Sequence, residues 1–284
     1  MFSREPSPTV VHACVRDGRG GSPTAVLDDG LFGDDERRRL PGAAGASHAV
    51  FVSPGPEQDG LPLFSLRFFT SAGELPSCGH GTIAALGYLA ARAGADSCRV
   101  LLRVAGRTFP ARAVRRGTYV EAEFAYGSVE LREPEPGQGS EPALTALGIR
   151  PDALGPGIRV ASVGRPRLLV PVTSRAVLAA LAPDMERLRA ACDRLGLLGC
   201  YVYSAPSPSG RAAARMFAPS IGVPEDIANA NSTACLAAHL AGAGIDRITV
   251  DMGDSLGSPA TIRAGMSGSG VRLGGDVLLT GALP

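Results

Sequence analysis

A cysteine and a histidine sit with two glycines where one helix should begin. Gly73 to Gly94 reads GELPSCGHGTIAALGYLAARAG, so Cys78, Gly79, His80 and Gly81 fall on the turn that opens a small-residue helix. A helix N-terminus presents N–H groups and the positive end of the helix dipole, which suit a carboxylate or an enolate. Glycines let the backbone come close to a ligand. Gly79 and Gly81 therefore read as a backbone cradle for an anion, with a thiol and an imidazole at its rim. Glu74 and Ser77 read as turn residues, the Glu as a cap for nearby amides.

The bulk composition sets limits on what such a site could serve. The chain has 284 residues, 45% hydrophobic and 19% charged, with a formal net charge of +1. That length supports one large or two modest domains with a substantial core. No basic run exceeds Arg37-Arg38-Arg39, aromatics are 5% and Trp is absent, so neither nucleic acid nor an acidic membrane surface is expected as a partner. The opening MFSREPSPTV lacks a charged segment followed by an apolar one, and no apolar run approaches a membrane-spanning length, so a cytoplasmic protein is expected. Cys14, Cys78, Cys98, Cys192, Cys200 and Cys235 form no C-x-x-C pair, and His12, His48, His80 and His239 show no ligand spacing. Neither a disulfide framework nor a metal site is expected on that ground.

Periodicity gives strands over TVVHACV, the end of GGSPTAVLDD, HAVFVSP and LFSLRFFT, with a helix over DDERRRL before Pro41 weakens it. A helix from about Gly81 to Arg92 stops at Gly94, and SCRVLLRVAG, RTFPARAVRRG and TYVEAEFAY follow as a three-stranded meander. REPEPGQGSEP is the best linker candidate. Beyond it come a short helix at ALTALGI, strands at IRVASVG and RLLVPVTS, and a helix over DMERLRAACDRLG. CYVYSAP and RAAARMFAP form a strand pair, a second small-residue helix covers Ser232 to Gly242, and RITVDMG, PATIRAG and VRLGGDVLLTG close the chain. Gly274 and Gly275 in the last of these read as a bulge or tight strand crossing.

The two small-residue helices are related. At a constant offset of 150 residues, Ala84, Leu86, Ala91, Ala93, Gly94, Asp96 and Val100 meet Ala234, Leu236, Ala241, Ala243, Gly244, Asp246 and Val250. Each copy runs from a Pro-containing turn through an Ala-rich helix and a Gly-x-Asp stop to a strand. Two copies half a chain apart predict two similar α+β lobes, residues 1–126 and 127–284, with helix N-termini facing across a cleft. The last strand is expected to pack back on the first lobe.

GGSPTAVL, ASHAVFV, GELPSCGHGTIAA, VGRPRLLVPV, RMFAPSIGVPED and VRLGGDVLLTG occur in the order expected of PhzF-like proteins, and the chain resembles that family over nearly its whole length. The resemblance implies the diaminopimelate-epimerase-like fold, with two lobes that each wrap a mixed sheet or barrel round a central helix, and an active site in the cleft between them. It also implies no cofactor, a homodimer, and proton transfer at carbon. In PhzF-like enzymes a Glu before the "FV" strand is the acid/base, and here Ser47-His48-Ala49 puts His48 in its place. An imidazole can carry out the same shuttle. The resemblance further gives His80 the binding of substrate or transition-state charge, and Asp226 in "PED" the orienting of substrate. Cys78 occupies the place of one of the two thiol bases of epimerases, where the helix N-terminus would favour the thiolate. The matching turn of the second lobe reads EDIANANSTAC, with Asn229 in place of the second thiol and Asn229-Ala230-Asn231 replacing the family's Thr-Gly-Ser. The first strand has His12-Ala13-Cys14 where Asp-Ala-Phe is usual.

The expectation is thus an isomerase moving a proton and a double bond within a small unsaturated cyclic amino or imino carboxylate in secondary metabolism. His48, Asp226, Cys78 and His80 are the expected catalytic residues. Ser47, Gly79, Gly81, Thr82, Asn229, Ala230 and Asn231 are the expected substrate contacts. One alternative is an amino-acid epimerase using Cys78 with a non-thiol second base. Another, suggested by the lost Glu and Thr-Gly-Ser, is a non-catalytic carboxylate-binding protein.

Overall fold

The computed structural model describes residues 8–134, 139–268 and 270–279. The first seven residues of the opening segment and the middle of the REPEPGQGSEP linker lie outside the described residues. The chain divides into two compact units, one running to Ala125 and resuming at Leu273, the other spanning Tyr126–Arg272. Among the described residues no helix is long and apolar enough to cross a membrane.

Unit one contains β1 (Thr9–Val15), β2 (Ser22–Asp28), α1 (Asp34–Ala43), β3 (His48–Gln58), β4 (Leu61–Thr70), β5 (Gly73–Leu75), α2 (Gly79–Ala93), β6 (Ser97–Val104), β7 (Arg107–Arg116) and β8 (Tyr119–Gly127). The final strand of the chain (Gly270–Leu279) pairs with both β1 and β8. With β1 against β2, β2 parallel to β3, β3 against β4, β4 parallel to β6, and the β6–β7–β8 meander, the pairings run full circle. Closure leaves this set of strands without a bare edge. Every residue of α2 from Gly79 to Ala91 is buried, which is why its sequence is apolar or small all round rather than amphipathic. Gly94, in the left-handed conformation at φ 63°, ends it. The helix α1 covers the outside of β2, β3 and β4, where Phe32 and Leu40 pack on Leu27, Phe51 and Phe69.

Close packing fixes one glycine of the central helix. A Cβ on Gly87 would stand 2.3 Å from Val277 Cγ1 and 2.9 Å from Val277 Cβ. Gly87→Ala is therefore expected to destabilise by about 1–3 kcal/mol through overpacking, although alanine is the better helix former by about 1 kcal/mol. A lower thermal midpoint, recovered by adding Val277→Ala, is the expected result. A midpoint that rises would show that the contact relaxes without cost.

Unit two contains β9 (Glu130–Arg132), α3 (Glu141–Leu147), β10 (Arg159–Ser162), β11 (Pro166–Val172), α4 (Arg175–Ala179), α5 (Met185–Arg194), β12 (Cys200–Ser204), β13 (Arg211–Ala218), β14 (Val223–Asp226), α6 (Ala230–Ala241), β15 (Arg247–Met252) and β16 (Ala260–Ser267). The final strand is β17. The pairing pattern repeats that of unit one. β10 runs against β11, β11 parallel to β12, β12 against β13, β13 against β14, β13 parallel to β15, and β15 against β16. Thus α6 corresponds to α2, and β13, β14 and β15 correspond to β4, β5 and β6. Leu144, Leu147, Leu188 and Cys192 of α3 and α5 form a core with Val160, Leu168, Val170, Cys200 and Val202 of the sheet.

Some elements differ from their sequence reading. Glu130–Arg132, where the linker candidate begins, forms β9 and pairs with β10. Glu74 lies on β5 and makes two bonds to Arg67 on β4, at 2.8 and 2.7 Å, rather than capping amides. Phe69 and Glu74 face each other across the β4–β5 ladder, which brings Arg67 within reach.

Candidate active site

The helices α2 and α6 begin two residues earlier than the sequence suggested, at Gly79 and Ala230, because Cys78 and Asn229 act as their caps. Cys78 Sγ accepts from the Gly81 N–H at 3.4 Å, and Asn229 Oδ1 accepts from the Ser232 N–H at 2.9 Å. Asn is a favoured cap, whereas a thiol is a weak acceptor and gives little sequence signal there. Gly81 permits this arrangement, since a Cβ would stand 3.0 Å from Cys78 Sγ and 3.0 Å from Phe68 Cδ1. Thr82 continues the cap, donating from its hydroxyl to the Cys78 carbonyl at 2.9 Å.

Against this turn lies the first residue of β3. β3 sits between β2 and β4, with Thr24 facing His48 and Phe69 facing Ala49. This register fixes the imidazole of His48 against His80, ring centroids 4.4 Å apart and planes nearly perpendicular at 86°. Cys78 Sγ lies 3.5 Å from His80 Nε2. Ser47 Oγ is 2.8 Å from His48 Nδ1 and completes the group. His48, Cys78 and His80 are only 6%, 5% and 3% exposed. Burial, and second the neighbouring His80, hold the His48 pKa well below the ordinary imidazole value of 6.5, because a cationic ring would have to shed its hydration. His48 is therefore a neutral imidazole at pH 7.

The remaining expected residues gather in unit two. Asp226 ends β14, where its Oδ2 accepts from Asn229 Nδ2 at 2.9 Å and its Oδ1 from the Ala228 N–H at 3.4 Å. Asn229 thus caps α6 with its oxygen and is braced by Asp226 through its nitrogen. Ala230 is buried and Asn231 half-buried in the first turn of α6. Tyr201 on β12 bonds Thr233 at 2.8 Å one turn further on, and its phenol is pushed above its ordinary value of 10.0 by burial.

Sequence spacing concealed the clustering of His48 with Cys78 and His80. One ring nitrogen of each His and the Cys78 sulfur lie within 4.8 Å of one another, a grouping able to hold a metal ion. The expectation of no metal site rested on local spacing, and residues about 30 positions apart have none to read. Chemically, the group offers an imidazole that can accept a proton, a thiol within hydrogen-bond reach of His80, and donors able to ligate an ion.

These two units define the class. Each has the same strand order and a capped, largely buried helix, the duplicated α+β arrangement of the diaminopimelate-epimerase-like fold. By fold the chain is similar to a hydroxyproline epimerase from Agrobacterium vitis, at TM-score 0.58 and 13% identity over 97% of this chain and 89% of that one. It is also similar to a protein described as a predicted epimerase from Pseudomonas aeruginosa, at TM-score 0.82 and 25% identity over 98% of both chains. Residues 12–282 match the family described as phenazine biosynthesis-like protein, PhzC-PhzF, and the chain belongs to that family. Among its relatives is a trans-2,3-dihydro-3-hydroxyanthranilate isomerase of Pseudomonas aeruginosa, 32% identical over 281 residues, covering 93% of this chain and 91% of that protein. Another is an uncharacterized isomerase of Deinococcus radiodurans, 31% identical over 268 residues, covering 90% and 85%.

Proposed function

We propose that the protein is a PhzF-family isomerase that moves a proton, and with it a double bond, within a small unsaturated cyclic amino or imino carboxylate, without a cofactor and as a step in secondary metabolism. The observation that carries this reading is the buried His48, held by Ser47 against His80 and the capped start of α2. A lone pair on the imidazole takes a proton from the activated carbon of the substrate. The electron pair left behind spreads into a dienolate, and the imidazolium returns the proton to the vinylogous carbon as the double bond shifts. The positive end of α2 and the His80 ring favour the charge as it develops.

A strongly lowered pKa makes a weak base, so the substrate has to help. Its carboxylate, brought close to the ring, favours the imidazolium and raises the pKa toward the working range. In the free enzyme the acid limb of kcat/KM is accordingly expected below pH 6.5, the direction set by burial and His80. The limb of kcat itself is expected at higher pH. An acid limb of kcat/KM at or above 6.5 would mean that another group is the base.

Proton NMR in deuterium oxide tests the function, using unsaturated cyclic amino and imino acids alongside simple amino acids. The expected result is deuterium entry or double-bond migration at a vinylogous carbon, lost in His48→Ala and surviving in Cys78→Ala. An epimerase reading draws on the closeness of Cys78 Sγ to His80 Nε2. It would be supported instead by exchange confined to Cα, with inversion and dependence on Cys78. Asn229, not a thiol, caps the corresponding helix, which weighs against a two-thiol racemase. Tight carboxylate binding without exchange in any substrate would favour a binding protein.

A further inference from the structure

We propose that His48, Cys78 and His80 form a site for a zinc(II)-class transition-metal ion, held by two imidazole nitrogens and one thiolate, with a fourth position open to water or a carboxylate oxygen. The donor set points to this class. Two imidazoles and a thiolate select zinc or cobalt over magnesium and calcium, which prefer oxygen donors. Three protein ligands with one open position is the arrangement of zinc sites that take an exogenous ligand.

The geometry is close to what an ion needs. With Zn–N near 2.0–2.1 Å and Zn–S near 2.3 Å, tetrahedral ligand atoms stand about 3.3–3.6 Å apart. Cys78 Sγ stands 3.5 Å from His80 Nε2 and 3.8 Å from His80 Nδ1, so the spacing is right but the His80 ring has to turn to aim one nitrogen's lone pair at a shared ion. The three donors lie within 4.8 Å of one another, so side-chain adjustment at His48 and His80 would bring them to ligand spacing. Ser47 Oγ engages His48 at Nδ1, 2.8 Å away, so the proposal assigns Nε2 as the ligating nitrogen. Ligating imidazoles usually have such an outer partner on the other ring nitrogen. All three donors are buried, so they would reach an ion without first shedding a full hydration shell. The positive end of α2 opposes a cation, and the ion's own bonds to the three donors have to outweigh that.

Occupancy would use the lone pair on His48 that proton transfer requires. Under the isomerase reading the ion is therefore an inhibitor, and this consequence alone rests on that reading. Metal binding itself does not.

Cobalt(II) titration of protein first stripped with a chelator tests the site, followed by absorption spectroscopy. The expected result is one equivalent of tetrahedral cobalt with a sulfur-to-metal charge-transfer band, displaced by zinc. Cys78→Ser should lose the band, and His48→Ala should weaken binding. Ser47→Ala, which keeps all three ligands, should weaken it by about 10–100-fold. Circular dichroism of each variant verifies that the fold is intact. The absence of the band would overturn the proposal, as would a band that survives Cys78→Ser or an affinity unchanged in both His48→Ala and Ser47→Ala. Because the readout uses no substrate, cobalt binding without proton exchange in any substrate would uphold the metal site and count against the isomerase. Exchange without cobalt binding would do the reverse.

Discussion

His48→Gln is expected to slow deuterium exchange into substrate by about 10²–10⁴-fold, the usual contribution of a positioned general base. Glutamine is near in size and can keep a hydrogen bond with Ser47, whose Oγ is 2.8 Å from His48 Nδ1. What it lacks is a nitrogen able to take and return a proton. The informative companion is His48→Glu. The resemblance to PhzF-like enzymes places a Glu at this position, and burial beside His80 would raise a carboxyl's pKa toward neutrality. The Glu variant is therefore expected to recover a measurable part of the rate that Gln loses. Such recovery cannot come from packing alone, since Gln and Glu share a shape. Full activity in the Gln variant would place the base elsewhere, with Cys78 the next group to test.

The duplication was readable because it is written in small residues that the fold constrains. The matched sequences of α2 and α6 are offset by 150 residues, while the first residues of the two helices, Gly79 and Ala230, are 151 apart. The offset of 150 extends to β4 and β13, which start at Leu61 and Arg211, and to β5 and β14, which start at Gly73 and Val223. β5 and β14 themselves were not readable. GEL and VPED look like turns, being too short for alternation to show, and Pro224 in the second argues against a ladder position except at an edge. β9 was hidden for a related reason, since its exposed polar residues run straight into a Pro- and Gly-rich stretch. The Cys-Gly-His-Gly turn signalled chemistry by composition alone, but its partner did not. His48 reaches it through the register of β3 between β2 and β4, a non-local fact that no spacing rule carries. Only the resemblance singled out His48, by the place it shares with the family Glu.

The largest effect expected on stability lies away from the cluster. Arg215 on β13 bonds Glu225 on β14 through Nε at 2.9 Å and Nη2 at 2.8 Å, while Nη1 donates to the Leu178 and Leu181 carbonyls at 3.1 and 2.8 Å. The two side chains are only 12% and 10% exposed. Arg215→Met would leave Glu225 largely buried opposite an apolar group, with, among the described residues, only the Ser255 hydroxyl, 2.5 Å from its Oε1, still donating to it. The expected cost is about 3–5 kcal/mol, a fall in thermal midpoint on the order of 10 °C for a domain of this size. The pair as a whole, however, is worth less than this, because both charges gave up their hydration to meet. Arg215→Met combined with Glu225→Leu is therefore expected to be more stable than Arg215→Met alone. A residual deficit should remain, about 1 kcal/mol for each carbonyl of Leu178 and Leu181 that loses its donor. β14 leads from Glu225 into Asp226, which braces the Asn229 cap of α6, so the single variant should also loosen that helix start. A double variant no more stable than the single one would show that the ion pair contributes through its bonds to the backbone rather than by neutralising a buried charge.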